Sequence, residues 1–318
     1  MNPKTSKAMW QHTFDGLRPE QIDAEWVARG GGLEAYVFDG KDLTDASDWQ
    51  ALEKSLRHAR GLGVKKLTMH FPTDHADWVH DARTFTDLRR FCELAAEYRA
   101  DGVVLHANQF VDQADWLSFD LPAARERVTE RLGVLDEHLR DTPLWIGIEN
   151  LPVIGAQGID YDSVFVYPED FRVLTALNSP RIGVTWDLCH WAVTCTTAAS
   201  IAQLHQRQAG VTPLDLPPLP VRHIHFASFA GHAMPFWRGE CFEGATPQDG
   251  EVGGELLARM LRNAIDAAAG TSPEGVGVVF EVQETDYLRR EKCWETLDWV
   301  NIRPELSELN DMREGPRG

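Results

Sequence analysis

Short apolar runs, rich in β-branched residues, recur along this chain, and most of them close on a carboxylate or an imidazole. The clearest is Arg181-Ile182-Gly183-Val184-Thr185-Trp186-Asp187-Leu188-Cys189-His190. An apolar run of this length that stops on charge predicts a buried strand delivering side chains at its mouth. The same reading predicts strands over Ala8–Thr13, Leu33–Phe38, Val64–Phe71, Gly102–Leu105, Leu144–Ile148, Val221–Phe226 and Val276–Val282. Between them the apolar period lengthens to that of a helix. Helices are predicted over Pro19–Arg29, Asp48–Leu62, Thr84–Arg99, Pro122–Leu139, Pro168–Leu177, Ala198–Gln208, Gly253–Ala269 and Asp286–Val300. Pro19, Pro122 and Pro168 each stand at a predicted first turn, where the missing N–H costs nothing.

Eight strands alternating with eight helices predict parallel βαβ units. That number in one chain predicts a closed (β/α)8 TIM barrel over residues 1–302, with the charged stretch 303–318 as a C-terminal tail loose at its end. Two longer connections stand out: 151–167, and the Gly-, Trp- and Pro-bearing stretch 230–250. Barrels of this kind place their chemistry at the C-terminal ends of the strands. His70, His106, Glu149, Asp187, His225 and Glu281 all fall there.

Composition narrows the function. The 318 residues carry 31 Lys and Arg against 49 Asp and Glu, a formal net charge of −18. That argues against nucleic acid as a partner, because affinity for it comes from neutralised phosphates. It gives no support for an anionic membrane surface either. Five cysteines without a C-x-x-C, and no leader-like or membrane-spanning apolar segment, lead to the expectation of a reduced, cytoplasmic protein. Homo-oligomerisation is left open. No dinucleotide fingerprint, phosphate-binding P-loop or nucleophile elbow occurs.

The charged strand ends are therefore the candidate chemistry. Glu149, Asp187, His225 and Glu281 close four successive strands. Singly, each is a solvated strand end or half of a buried ion pair. Together, three carboxylates converging on one barrel mouth need a cation. A mostly oxygen donor set suits Mn, Mg or Zn, with iron the further alternative. His70 and His106 could ligate a second ion, bind a sugar hydroxyl or hydrogen-bond in the core. His190, three residues past Asp187, is placed just above the rim to orient substrate or hold a further metal. His223 shares a face with His225 by the two-residue period, and one of the pair is expected to be structural. Trp10, Trp186, Trp191 and Trp237 are candidates for stacking on a sugar ring, Trp186 being better suited to core filling. Arg238 could reach an anionic or hydroxylated substrate, whereas His232 reads as surface. Cys189 reads as packing.

The endings Trp-Ile-Gly-Ile-Glu-Asn at 145–150, Gly-Val-Thr-Trp-Asp-Leu-Cys-His at 183–190, Arg-His-Ile-His-Phe-Ala-Ser at 222–228 and Val-Val-Phe-Glu-Val-Gln-Glu at 278–284 resemble the xylose-isomerase-like barrel superfamily. It holds sugar isomerases and epimerases, inosose-processing enzymes and metal-dependent apurinic-site endonucleases. The resemblance runs from about Val64 to Val300. It implies that Glu149, Asp187, His225 and Glu281 are metal ligands, and that Glu149 and Glu281 also move protons. It implies that His190 binds substrate, and that His70 and His106 match positions holding a further ion in multi-metal members. The implied reaction is isomerisation or epimerisation of a sugar or other polyhydroxy carbonyl compound through a metal-stabilised enediolate. The rivals are an apurinic-site endonuclease-like phosphodiesterase, an iron-dependent oxygenase on a related barrel, and a non-catalytic ligand-binding barrel. Two departures count against a three-metal endonuclease. Ser228 stands where the family often has aspartate. The endonucleases' Asp-x-His is replaced by Asp249-Gly250-Glu251.

Overall fold

The structure is a computed structural model that describes residues 7–112, 115, 118–152, 161–162, 164–201, 210–231, 241–270, 275–309 and 312. In chain order its strands are β1 (Ala8–Asp15), β2 (Gly32–Tyr36), β3 (Leu67–His70), β4 (Gly102–Leu105), β5 (Phe110–Val111) and β6 (Trp145–Glu149). They continue with β7 (Tyr161–Asp162), β8 (Ile182–Asp187), β9 (Val221–Phe226), β10 (Ser228–Gly231), β11 (Cys241–Ala245) and β12 (Val276–Phe280). Its helices are α1 (Ala24–Ala28), α2 (Ala46–Gly61), α3 (Ala82–Glu97), α4 (Leu121–His138), α5 (Leu188–Ile201), α6 (Gly254–Ala267) and α7 (Glu291–Asn301). Strands β1, β2, β3, β4, β6, β8, β9 and β12 close a parallel barrel, β12 pairing back onto β1. This is the TIM barrel that the alternation of patterns predicts. No helix of the described residues is long and apolar enough to cross a membrane.

Several elements depart from expectation for local reasons. The helix expected over Pro19–Arg29 is split, because Asp23 accepts from the backbone N–H groups of Glu25 and Trp26 and starts α1 afresh after a 3₁₀ turn at Pro19–Gln21. The segment Pro168–Leu177 is wound as 3₁₀ turns. The helix expected over Ala198–Gln208 begins ten residues earlier, at Leu188, directly on the end of β8. Asp187 supplies the reason: its side chain accepts the His190 backbone N–H at 2.5 Å, capping the new helix. Residues 202–209 lie outside the described residues. The expected loop 230–250 contains instead an antiparallel hairpin of β10 with β11. The core also does not end at 302: Leu306 and Leu309 are buried in it, and Arg303 stacks over Trp299 at 4.6 Å.

Alternation along each strand divides the barrel lining from the outer layer. In β6, Ile146 and Ile148 face the helices, while Trp145, Gly147 and Glu149 face the axis. The Trp145 ring fills the floor of the barrel, and two glycines leave room there, Gly102 for that ring and Gly147 chiefly for Thr185. A Cβ on Gly102 would stand 2.0 Å from Trp145 Cδ2, and one on Gly147 would stand 2.3 Å from Thr185 Oγ1. Lys66 is buried at the same end, its Nζ 3.1 Å from Asp101 Oδ1. Thus large and absent side chains alternate at the bottom, and polar groups fill the layers above.

On the outer face of β1, His12 is fully buried against Trp26, with ring centroids 5.7 Å apart. Its Nδ1 lies 2.8 Å from Thr13 O and its Nε2 accepts from Asp23 N–H at 3.4 Å, an arrangement that suits the neutral ring. Burial and the nearby Arg290 cation push its pKa down to about 3.

Two outcomes follow for stability. Gly102→Ala should cost about 3 kcal/mol, the upper end for an overpacked site, because the colliding atoms belong to a buried ring; the urea midpoint measures it. His12 is neutral when folded but takes a proton near pH 6.5 when unfolded. Its contribution is therefore complete above that pH and drains away as pH falls toward about 3. The His12→Gln variant should lose that part of the acid dependence, a slope amounting to a few kcal/mol on the order of magnitude, in melting curves recorded from pH 7 to pH 4.

Candidate metal centre

Four strand ends build the upper layer of the barrel. Glu149 ends β6, Asp187 ends β8, and His225 lies one residue before the end of β9. Glu281 follows β12 and extends its ladder, donating its N–H to Phe226 O at 3.1 Å. Ligand atoms of Glu149, Asp187, His225 and Glu281 all lie within 4.8 Å of one another. His225 Nδ1 sits 3.2 Å from Glu149 Oε1, 3.1 Å from Glu281 Oε2 and 3.9 Å from Asp187 Oδ2. These residues lie far apart in the chain, and closure of the barrel brings them to one point.

A second cluster shares Glu149. His70 Nε2 and His106 Nε2 stand 3.2 and 3.1 Å from Glu149 Oε2, and the three ligand atoms again lie within 4.8 Å of one another. The His70 proton is committed, since Nδ1 faces Phe71 O at 2.8 Å. Its Nε2 faces Glu149, whose charge and hydrogen bond favour a second proton on the ring against the pull of burial, and a cation would take that proton's place. A carbonyl that fixes the tautomer of a ligand histidine is a common feature around metals.

Asn150 holds the frame. Its Nδ2 donates to Asp187 O at 2.9 Å, and its Oδ1 accepts from Asp187 N at 2.7 Å. Its own carbonyl lies 2.8 Å from His190 Nδ1. His190, on the first turn of α5, then turns Nε2 toward Glu243 Oε2 at 3.6 Å. Glu243 arrives on β11.

The electrostatics ask for positive charge. Burial raises the Asp187 pKa well above the ordinary carboxylate range, and the Glu281 and Glu149 charges add to it against the pull of His190. Burial would raise Glu149 too, but His225 and His106 hold it well below its usual value. Burial would lower His225, yet Glu149, Glu281 and Glu34 lift it well above an ordinary histidine. Protons on the imidazoles thus compensate three clustered carboxylates. A divalent ion fits the same donor set: three carboxylates, an imidazole Nδ1, and two further imidazoles one step away.

The cluster forms the floor of a cavity of about 520 Å³, within the usual range for small-molecule sites. Thr13, Asp15, Gln21, Tyr36, Glu243 and Gln283 are among the polar groups on its walls, and Phe38 and Tyr287 stand near its mouth. Arg18 is the one arginine or lysine lining it among the described residues.

Of the residues singled out by sequence, His70, His106, Glu149, Asp187, His190 and Glu281 line this cavity, and His225 lies fully buried beneath it. Trp191 does not. It is fully buried on α5, packed against Trp186 at 5.4 Å and Tyr167 at 6.4 Å, because the early start of the helix turns it into the core. Trp186 and Trp10 are core residues as well. Trp237, Arg238 and His232 lie outside the described residues. Cys189 borders the cavity, but its Sγ donates to Ser228 O at 3.2 Å. Sequence reasoning missed Glu34, Tyr36 and Glu243. Glu34 could have been suspected as a lone carboxylate inside the apolar strand Gly-Leu-Glu-Ala-Tyr. Nothing local marks Glu243, which only the hairpin brings to His190.

The family model described as xylose isomerase-like TIM barrel matches residues 30–270. No curated protein sequence matches. Among solved structures, a D-tagatose 3-epimerase-like protein aligns over 95% of this chain and 98% of its own, at 16% identity and TM-score 0.59. A D-psicose 3-epimerase determined with D-fructose aligns over 93% and 98%, at 14% identity and TM-score 0.57. The 3-keto-D-glucoside 4-epimerase of E. coli aligns over 92% and 98%, at 16% identity and TM-score 0.56. At these identities the likeness is one of fold.

Binding of a cation should show as linkage. Adding Mn²⁺ at about a hundredfold over its Kd to chelator-stripped protein should stabilise it by about 2.7 kcal/mol, seen as a raised melting temperature. Glu149→Gln, which alters the carboxylate shared by both clusters, should remove most of that shift.

Proposed function

The chain belongs to the xylose isomerase-like TIM barrel family, and from that premise we propose that it is a divalent-metal-dependent isomerase or epimerase. Its substrate is a sugar or other polyhydroxy carbonyl compound. The observation that carries this reading is the pair of carboxylates Glu149 and Glu281, held on the same His225 nitrogen at 3.2 and 3.1 Å on the floor of the cavity. The epimerase neighbours support it as relatives of fold.

Glu149, Asp187, His225 and Glu281 would hold the ion, and Mn, Mg and Zn suit them best. When bound, it supplies Lewis acidity toward a carbonyl and its adjacent hydroxyl. The rest falls to the protein. One of Glu149 and Glu281 takes the proton from the carbon next to the carbonyl, and the other returns a proton to a different face or carbon. His190 and His106, both bordering the cavity, hold substrate hydroxyls. The walls suit a neutral, hydroxyl-rich molecule: apart from Arg18 and the histidines their polar groups are hydroxyls, amides and carboxylates, set beside the apolar Phe14, Phe38 and Val282.

A second reading draws on the His70, His106 and Glu149 cluster, which could take a further ion as a metal-dependent phosphodiesterase requires. Acidic walls and the net charge of −18 weigh against a polyanionic substrate. Elemental analysis separates the two: one ion per chain supports the isomerase, three the phosphodiesterase.

Incubation with candidate ketoses in deuterium oxide should place deuterium at the carbon beside the carbonyl. Glu281→Gln should abolish both turnover and exchange while the far-ultraviolet circular dichroism stays unchanged. Retained activity in that variant would refute the role given to Glu281.

A further inference from the structure

Beneath the cation layer lies a second polar layer. Glu34, on β2, is fully buried, one strand turn below Tyr36 on the axis-facing side. Its Oε2 accepts from Thr68 Oγ1 at 2.7 Å and lies 2.9 Å from His223 Nε2. Its Oε1 lies 3.0 Å from His225 Nε2. As placed, neither Oε1 nor Nε2 makes a hydrogen bond among the described residues; the two buried atoms stand at ion-pair distance, and a proton on Nε2 would give each the other as its partner. Gln11 completes the layer, its Nε2 donating to Leu33 O at 2.7 Å and to Thr68 Oγ1 at 3.0 Å. Room for it comes from two glycines. A Cβ on Gly32 would stand 2.8 Å from Gln11 Cγ, and one on Gly277 would stand 2.1 Å from Gln11 Oε1 and 2.7 Å from His223 Nδ1.

The protons in this layer can be followed atom by atom. Thr68 receives from Gln11, so its single proton goes to Glu34. A carboxylate only accepts, so His223 and His225 must both present N–H to it. His225 therefore carries its proton on Nε2. That leaves Nδ1 as the atom facing Glu149, Glu281 and Asp187. Once a cation takes the place of the proton on Nδ1, one proton is left to the ring, and only on Nε2 does it serve Glu34; on Nδ1 it would block the ion and set the Nε2 lone pair against a buried carboxylate. The Glu34, His223 and His225 group has the atom spacing of a metal site. Its carboxylate is already filled by donors, however, and a cation there would displace all of them.

We infer that Glu34 is a positioning residue, which fixes the tautomer and ring orientation of His225 so that Nδ1 is presented to the cation, with His223, Thr68 and Gln11 holding Glu34 in place. The inference rests on the proposal that a divalent ion sits among Glu149, Asp187, His225 and Glu281. It separates the roles of the two histidines on β9: His225 is the ligand and His223 is part of the support. In Glu34→Gln the amide oxygen serves Thr68 and His223, and the amide N–H then faces His225 Nε2. That favours the ring proton on Nδ1, where it blocks the ion.

Chelator-stripped wild type and Glu34→Gln should be titrated with Mn²⁺ and Zn²⁺ by calorimetry. The variant should bind about 10- to 100-fold more weakly, as when a partner behind a ligand histidine is lost. Wild type that binds neither ion would refute the metal reading itself. Wild type that binds, with a variant within about threefold of it, would refute only the role of Glu34. A measurement on the wild type alone guards against a variant that does not fold. In long-range proton–nitrogen spectra of the zinc-loaded protein, His225 should show ligated Nδ1 and protonated Nε2. Ligation through Nε2 would overturn the inference.

Discussion

The buried carboxylates at the top of the barrel impose the constraint on which the rest depends. Glu149 is touched by His70, His106 and His225 and approached by His190 at 3.4 Å, while Asp187 and Glu281 stand close by. Moving even one carboxylate out of water costs several kcal/mol unless it is paired. Three in one place are tolerable only with positive charge among them. Imidazoles supply it as protons, and the same geometry accepts a divalent ion. In the reaction proposed above, the cavity is where a substrate oxygen would meet that charge in a low dielectric.

The barrel is built to hold this cluster still. Its lower layers are filled by Trp145 where Gly102 withdraws, by Thr185 where Gly147 does, and by the Gln11, Thr68, Glu34 and His223 network where Gly32 and Gly277 withdraw. Hydrogen bonds in such a buried network strengthen one another, and an unpaired member would be costly. The donors above inherit that rigidity. Asn150 adds a clasp between two neighbouring strands, and Asp187 uses one side chain to start α5 and to face the site. Stability and chemistry are thus carried by overlapping sets of residues.

The mouth of the cavity is arranged differently. Its walls come from strand ends and from the β10–β11 hairpin, which delivers Glu243 to His190. Loops on such barrels vary without disturbing the layers beneath, so these walls can change while the Glu149, Asp187, His225 and Glu281 cluster stays. Likeness to sugar epimerases over nearly the full length at 14–16% identity shows that the barrel itself is common to them.

Much of this was legible in the chain alone. The alternation of two-residue and helical periods determined the barrel, because each period states which faces must leave water. The charged strand ends Glu149, Asp187, His225 and Glu281 were readable because a barrel sends every strand end to one rim. Local order in the chain could not decide what depends on side chains meeting across it. Nothing in the sequence around Trp191 says that α5 starts at Leu188 and turns that ring inward; the cap on Asp187 does. Nothing near Glu34 says that it stands behind His225, 191 residues later, since only closure of β12 onto β1 brings β2 within reach of β9. Periodicity decides which way a residue faces, and closure of the barrel decides what it meets there.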